Sequence, residues 1–269
     1  APKKETAAPV AKSETVKAAA EDSISRPDTT ITTASVTPAS PDDRVAAASA
    51  PAPATATAST SAEIPAQVGP LALREAAQNG DAKALYVIGS RLAEGAGLAS
   101  NMQQASGWFE KSAELGYAPA QFRIGNLYEK GLGVTRDFDK ARSWYQLAAN
   151  QGNANAMHNL AVLYATGADK APDNEAAVRW FTKAAAFGVK DSQYNLGILA
   201  AKGAGMPLDM EQAYKWFGLV ANTGDRDASD KRDEVAKAMS PDQLNQAKQE
   251  IAAWKAQAQD PAANEVEIP

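Results

Sequence analysis

The chain has 269 residues, with 27 basic against 32 acidic side chains and a net charge of −5. This balance gives neither the basic surplus of an extended nucleic-acid face nor a polybasic signal for anionic lipid. With no cysteine and a single histidine, disulfides, thiolate metal sites, cysteine nucleophiles and multi-histidine metal centres are excluded. No apolar run reaches the roughly 18 residues that a membrane-spanning helix needs. The chain opens at Ala1 with no basic stretch leading into an apolar one, so it reads without a signal peptide. It is therefore expected to be a processed form or a piece of a longer chain.

Residues 1–68 are mostly Ala, Thr, Ser and Pro and contain no aromatic residue. Such a segment cannot bury enough apolar surface to offset its ordering entropy, so a disordered linker is expected. A flexible coil of this length spans roughly 45 Å, and a polyproline rod up to about 200 Å. The 5 Trp, 7 Tyr and 6 Phe all lie between Tyr86 and Trp254. Residues 260–269 read as a second disordered end.

Between these ends the sequence repeats every 36 residues. Trp108-Phe109 recurs as Trp144-Tyr145, Trp180-Phe181 and Trp216-Phe217. Gly116 recurs as Gly152, Gly188 and Gly224, and Ala105 as Ala141, Ala177 and Ala213. The spacing predicts two helices per copy. First helices fall at 81–94, 117–130, 153–166 and 189–202. Gly-rich turns follow, and second helices start at the N-cap residues Asn101, Asp137, Asp173 and Asp209. The copies are 81–116, 117–152, 153–188 and 189–224. A lone second helix at 69–80 caps the start. Capping helices over 225–259 close the end, one of them opened by Ser240-Pro241 and running to Trp254. The recurrent Trp108, Trp144, Trp180 and Trp216 are expected to form the core between helices rather than a stacking platform for a ligand.

The residues Ile124-Gly125, Tyr128, Gly131-Leu132-Gly133-Val134, Asp137, Ala141, Trp144-Tyr145, Ala148-Ala149 and Gly152 resemble the Sel-one-like repeat (SLR), a relative of the tetratricopeptide repeat. The third copy departs from this pattern at Ala161 and Asp169, where the others carry glycine. The resemblance implies an all-α, right-handed solenoid of helical hairpins. A narrower likeness lies in the Pro/Ala/Thr linker, Gly69-Pro70-Leu71-Ala72-Leu73-Arg74-Glu75-Ala76-Ala77, Met157-His158-Asn159-Leu160-Ala161 and the stretch from Asp191 to Ala200. Together these are similar to the periplasmic part of PodJ-type polar localisation factors.

These resemblances imply a non-enzymatic protein-interaction scaffold of the bacterial envelope, periplasmic and tethered to the inner membrane by a segment before residue 1. The alternatives are a peptidoglycan-binding module and a periplasmic negative regulator of a signalling receptor. The implied partner is an envelope protein or peptide held on a concave face lined by first helices, with cell wall as a second candidate. No nucleic acid, membrane insertion, cofactor, metal or catalytic residue is expected. The repeat marks no catalytic Ser or Asp to go with His158, which stands where other copies hold an aromatic, so it reads as a contact residue. With it go Arg123, Asn126, Lys130, Asn159, Tyr194, Asn195 and Lys202. Asn both donates to and accepts from an extended backbone. Asn159 and Asn195, one period apart, are expected to face one groove, so that alanine at both would weaken binding without loss of stability.

Overall fold

The computed structural model describes residues 64–95 and 100–266. Every regular element in them is helical. A 3-10 turn (Ala66–Val68) and α1 (Leu71–Gln78) precede the repeats. The four copies are α2 (Ala82–Glu94) with α3 (Met102–Glu114), then α4 (Ala118–Lys130) with α5 (Phe138–Asn150). They continue with α6 (Ala154–Thr166) and α7 (Asn174–Ala186), and end with α8 (Lys190–Lys202) and α9 (Met210–Ala221). After them come α10 (Arg226–Ala236), α11 (Pro241–Ala253) and α12 (Pro261–Asn264).

The described residues fall into two units. One holds 64–163, 167–171 and 257–266, and the other 164–166 and 172–256. In the first, α1 packs on α2, α2 on α3, α3 on α4, α4 on α5, and α12 on α4. In the second, α7 packs on α8, α8 on α9, and α9 on both α10 and α11.

Local chemistry sets where the second helices begin. Asn101, Asp137, Asp173 and Asp209 each accept, through a side-chain oxygen, the backbone N–H three residues on, at 2.9, 2.9, 2.9 and 3.0 Å. Each such cap stabilises its helix by about 1 kcal/mol. Ser240 and Gln243 form a reciprocal capping box at the start of α11.

The core of each copy is built on the aromatic after the tryptophan. Phe109, Tyr145, Phe181 and Phe217 are all buried. Where the first helix carries glycine, this ring packs directly against it. A Cβ added at Gly89, Gly125 or Gly197 would sit 3.0, 2.8 or 2.7 Å from Phe109, Tyr145 or Phe217. The expectation for the tryptophans is corrected: Trp144 is buried, but Trp108, Trp180 and Trp216 are only half-buried. Consecutive helical residues point about 100° apart, so in the other three copies the phenylalanine enters the seam and the tryptophan stays at its edge. Three of the indoles lie under lysine ammoniums instead, those of Lys111, Lys183 and Lys215 at 4.8, 4.7 and 5.4 Å.

The third turn is built differently from its neighbours. In the second and fourth copies, Gly133 and Gly205 have φ of +73° and +72°. Their α-carbons press on the backbone at the start of the preceding second helix, at Met102 and Asn174. In the third copy Asp169 stands at this place and Ala168 takes positive φ instead, at 51°. Here the approach is made by side chains: Lys170 pairs with Asp139, and Arg142 lies 3.8 Å from Asp169.

Both expected disordered ends need correction. Order begins before residue 69, because Ile64 and Val68 are buried. The Arg91 guanidinium donates to the Val68 carbonyl at 3.0 Å. The rest of the expected linker, residues 1–63, lies outside the described residues. At the other end, Pro261–Asn264 form the short helix α12. A polar, alanine-rich stretch is held there because asparagine supplies specific hydrogen bonds that composition alone does not reveal.

Candidate partner-binding face

The first helices α4 and α6 carry the polar residues singled out by the sequence, and one buried hydroxyl organises them. The Tyr145 ring is in the core, but its hydroxyl reaches the first-helix face. It donates to Glu129 Oε2 at 2.5 Å and accepts from Asn159 Nδ2 at 3.1 Å. Asn126 bonds the same oxygen. Burial first, and then the Glu129 carboxylate, push the Tyr145 hydroxyl well above its ordinary pKa, so it stays protonated and keeps donating to Glu129. Asn126 and Asn159 are half-buried. Each therefore presents an amide oriented by Tyr145, a group that can both donate to and accept from a peptide backbone.

Arg123 lies beside this group on α4, half-buried, with its guanidinium 5.6 Å from the Phe109 ring centroid. Lys130 is exposed at the end of α4. In this unit the structure therefore brings together Arg123, Asn126 and Asn159, with Lys130 at the helix end. Glu129 and Tyr145 belong with them and were not anticipated. The signal for Tyr145 was present, since it is the one tyrosine in the series Phe109, Tyr145, Phe181, Phe217.

Three expected contact residues are not surface groups. His158 is 2% exposed, buried like Tyr194 one period on, while Tyr86 and Phe122 at the same position are half-buried. Tyr194 is buried, edge-to-face with Phe217 at 5.5 Å between ring centroids, and its hydroxyl donates to Asp227 Oδ2 at 2.5 Å. Asn195 is 0% exposed, and neither its Oδ1 nor its Nδ2 has a hydrogen-bond partner among the described residues. Lys202, at the end of α8, is exposed.

Repeat equivalence explains the orphaned amide. Asn195 is one period after Asn159, and Phe181 one period after Tyr145. Phe181 has no hydroxyl to offer. The positions matching Asn126 and Glu129 have also become apolar, as Val162 and Ala165. A buried unpaired amide costs about 1–3 kcal/mol. Phe181→Tyr is expected to raise stability by about 1 kcal/mol in wild type and by nothing in an Asn195→Val background, measured by urea denaturation. An equal effect in both backgrounds would remove this explanation. The expectation that Asn159 and Asn195 act as a matched pair is corrected on the same ground.

A cleft of about 640 Å³ lies beside the turn between α4 and α5, lined by Gln103, Tyr128, Arg136, Asp137 and Lys140 among others. The Tyr128 hydroxyl donates to Glu110 Oε1 at 2.8 Å and lies 3.4 Å from Lys140 Nζ. Burial, followed by the Glu110 hydrogen bond, pushes its pKa up. Among the described residues, no group of three or more His, Asp or Glu is placed to hold a metal ion. No described helix is long and apolar enough to cross a membrane.

The Sel1 repeat family model matches residues 82–117, 118–153, 154–186 and 190–225. The chain belongs to the Sel1 repeat family. Among solved structures, a Sel1 repeat protein from Oxalobacter formigenes is 28% identical, with a TM-score of 0.56 over 66% of this chain and 75% of that one. A protective antigen of uropathogenic Escherichia coli displaying an SLR fold is 26% identical. It aligns over 68% of this chain and 47% of its own, with a TM-score of 0.43, so this chain spans less than half of that antigen. No curated protein matches the chain. Sel1 repeat proteins generally act as protein–protein interaction scaffolds, and the helical hairpins described above are the frame that Sel1 repeats build.

Proposed function

We propose that this Sel1 repeat chain is a non-enzymatic interaction scaffold of the bacterial envelope, the periplasmic module of a polar localisation factor. Its partner is an envelope protein engaged through an extended segment. The observation that carries the binding part is the set of amides held by Tyr145: Asn126 and Asn159 stand half-exposed on first helices, locked by one buried hydroxyl. Preorganised side chains lose less entropy on binding. The envelope and polarity parts rest on the likeness of the linker and of the first-helix sequences to PodJ-type factors.

The test is capture from envelope extract by the full chain, run beside co-sedimentation with protein-free cell-wall sacculi. A captured protein, with the chain absent from the sacculus pellet, is the expected result. Pelleting that survives moderate salt would replace this reading with a peptidoglycan-binding one. Tyr145→Phe provides the sharper arm. It keeps the ring, releases both amides, and is expected to reduce capture at least about tenfold while lowering stability by only about 1 kcal/mol. Undiminished capture by this variant would remove the α4–α6 face as the binding surface.

A further inference from the structure

The first turn of α6 is occupied by a distant part of the same chain. Asn153 caps α6, its Oδ1 accepting the Ala156 N–H at 2.7 Å, while its Nδ2 donates to the Ala263 carbonyl at 2.6 Å. The Ala154 N–H has no intrahelical acceptor available and donates to Asn264 Oδ1 at 2.9 Å. Asn264 Nδ2 donates back to the Gly152 carbonyl at 3.1 Å and to its own Asp260 carbonyl at 2.8 Å. Two asparagines thus read each other's backbones. Asn153 is 2% exposed and Ala263 4%, so the bond between them is buried, while Asn264 is half-buried at its edge. The segment carries its own helix-starting signals. Asp260 caps it through the Ala262 N–H at 2.9 Å, and Pro261 opens its turn.

The repeat comparison shows that this site is particular to the third copy. Positions equivalent to Asn153 are Asp81, Tyr117, Val189 and Asp225. Asp81 and Asp225 cap their helices but have no amide to donate. Tyr117 and Val189 make no side-chain cap bond. Asparagine alone in this series both caps the helix and offers a donor to an incoming carbonyl.

We propose that Gly152–Ala154 is a docking site for a proline-opened helical turn ending in asparagine, filled in the resting chain by its own Asp260–Glu265, and that its occupant in trans is the same segment of a second copy of this chain. Every copy carries the one sequence seen to fit. Between the end of α11 at Ala253 and Asp260 the chain has no regular structure, so exchange of the segment breaks no helix and re-forms every bond in trans. The tethered segment has an effective concentration in the millimolar range, so it holds the site until it is released. This site uses none of the Tyr145-linked residues and stands whether or not the α4–α6 face binds a partner.

The experiment uses full-length chains. Asn264→Ala disables the segment and leaves the site. Asn153→Ser keeps a capping oxygen, removes the donor, and leaves the segment. A synthetic peptide of residues 257–266 is expected to bind the Asn264→Ala chain saturably. Binding to wild type, and to the Asn153→Ser/Asn264→Ala double variant, is expected to be weaker by at least about tenfold. Mixing the Asn264→Ala and Asn153→Ser chains is expected to give one-to-one complexes by light scattering that neither forms alone. No peptide binding to the Asn264→Ala chain, or equal binding to all three chains, overturns the docking site. A mixture that stays monomeric above the peptide's dissociation constant overturns exchange with a second copy.

Discussion

Phe217→Ala is expected to destabilise its unit by about 3–5 kcal/mol, the range for deleting a fully buried aromatic. Its neighbour Trp216→Ala is expected to cost only about 1–2 kcal/mol, in line with half-burial of a larger ring. The contrast runs against intuition, because tryptophan is the bigger and more regularly spaced residue. It follows from the seat each ring occupies. Phe217 lies on the backbone of α8 at Gly197, where a Cβ would come within 2.7 Å of the ring, and its removal leaves a cavity in the core. Trp216 is half-exposed beneath Lys215, and water replaces it at little loss. Urea denaturation followed by circular dichroism measures both. Equal costs, or a larger cost for Trp216, would mean that the tryptophans form the core after all.

Gly205→Ala is expected to cost roughly 2–5 kcal/mol, the sum of left-handed backbone strain and a collision with a neighbouring helix start. Gly205 has φ of +72°, and a methyl group there would run into the backbone of Asn174. Gly224→Ala is the control. Its φ is +91° but nothing lies within 4 Å of an added Cβ, so it carries the strain alone, about 1–2 kcal/mol. Thermal melts of the two variants separate the terms. If both lose the same stability, the close approach of turn to helix contributes nothing.

The helices were legible because period, caps and glycine stops agree in the sequence. Asn101, Asp137, Asp173 and Asp209 mark their helix starts with no help from tertiary structure. The orientation of the aromatic pair was not legible, since Trp and its neighbour repeat with equal fidelity. What decides between them is which one faces the first-helix glycine. The binding face was partly legible. Asn126 and Asn159 sit on it, whereas Asn195 matches Asn159 in position and differs in environment because Phe181 lacks the Tyr145 hydroxyl. His158 is buried, as Tyr194 is at the same position of the fourth copy, whereas Tyr86 and Phe122 are half-buried there. The seat for Ala263 and Asn264 left no trace in the period, because its two halves belong to no common repeat.

The contact between Asn153 and Ala263 joins residues 110 apart in sequence, in a protein whose other contacts run chiefly between neighbouring helices. Closing a loop of that length costs about 1 kcal/mol more than closing one of thirty residues, and the closure forms late for the same reason. During synthesis the first turn of α6 emerges long before Asn264 exists. At ribosomal speeds it waits on the order of ten seconds. Each newborn chain therefore passes through an interval in which that helix end has been made and its own Asn264 has not, beside other chains on the same message that are slightly further along.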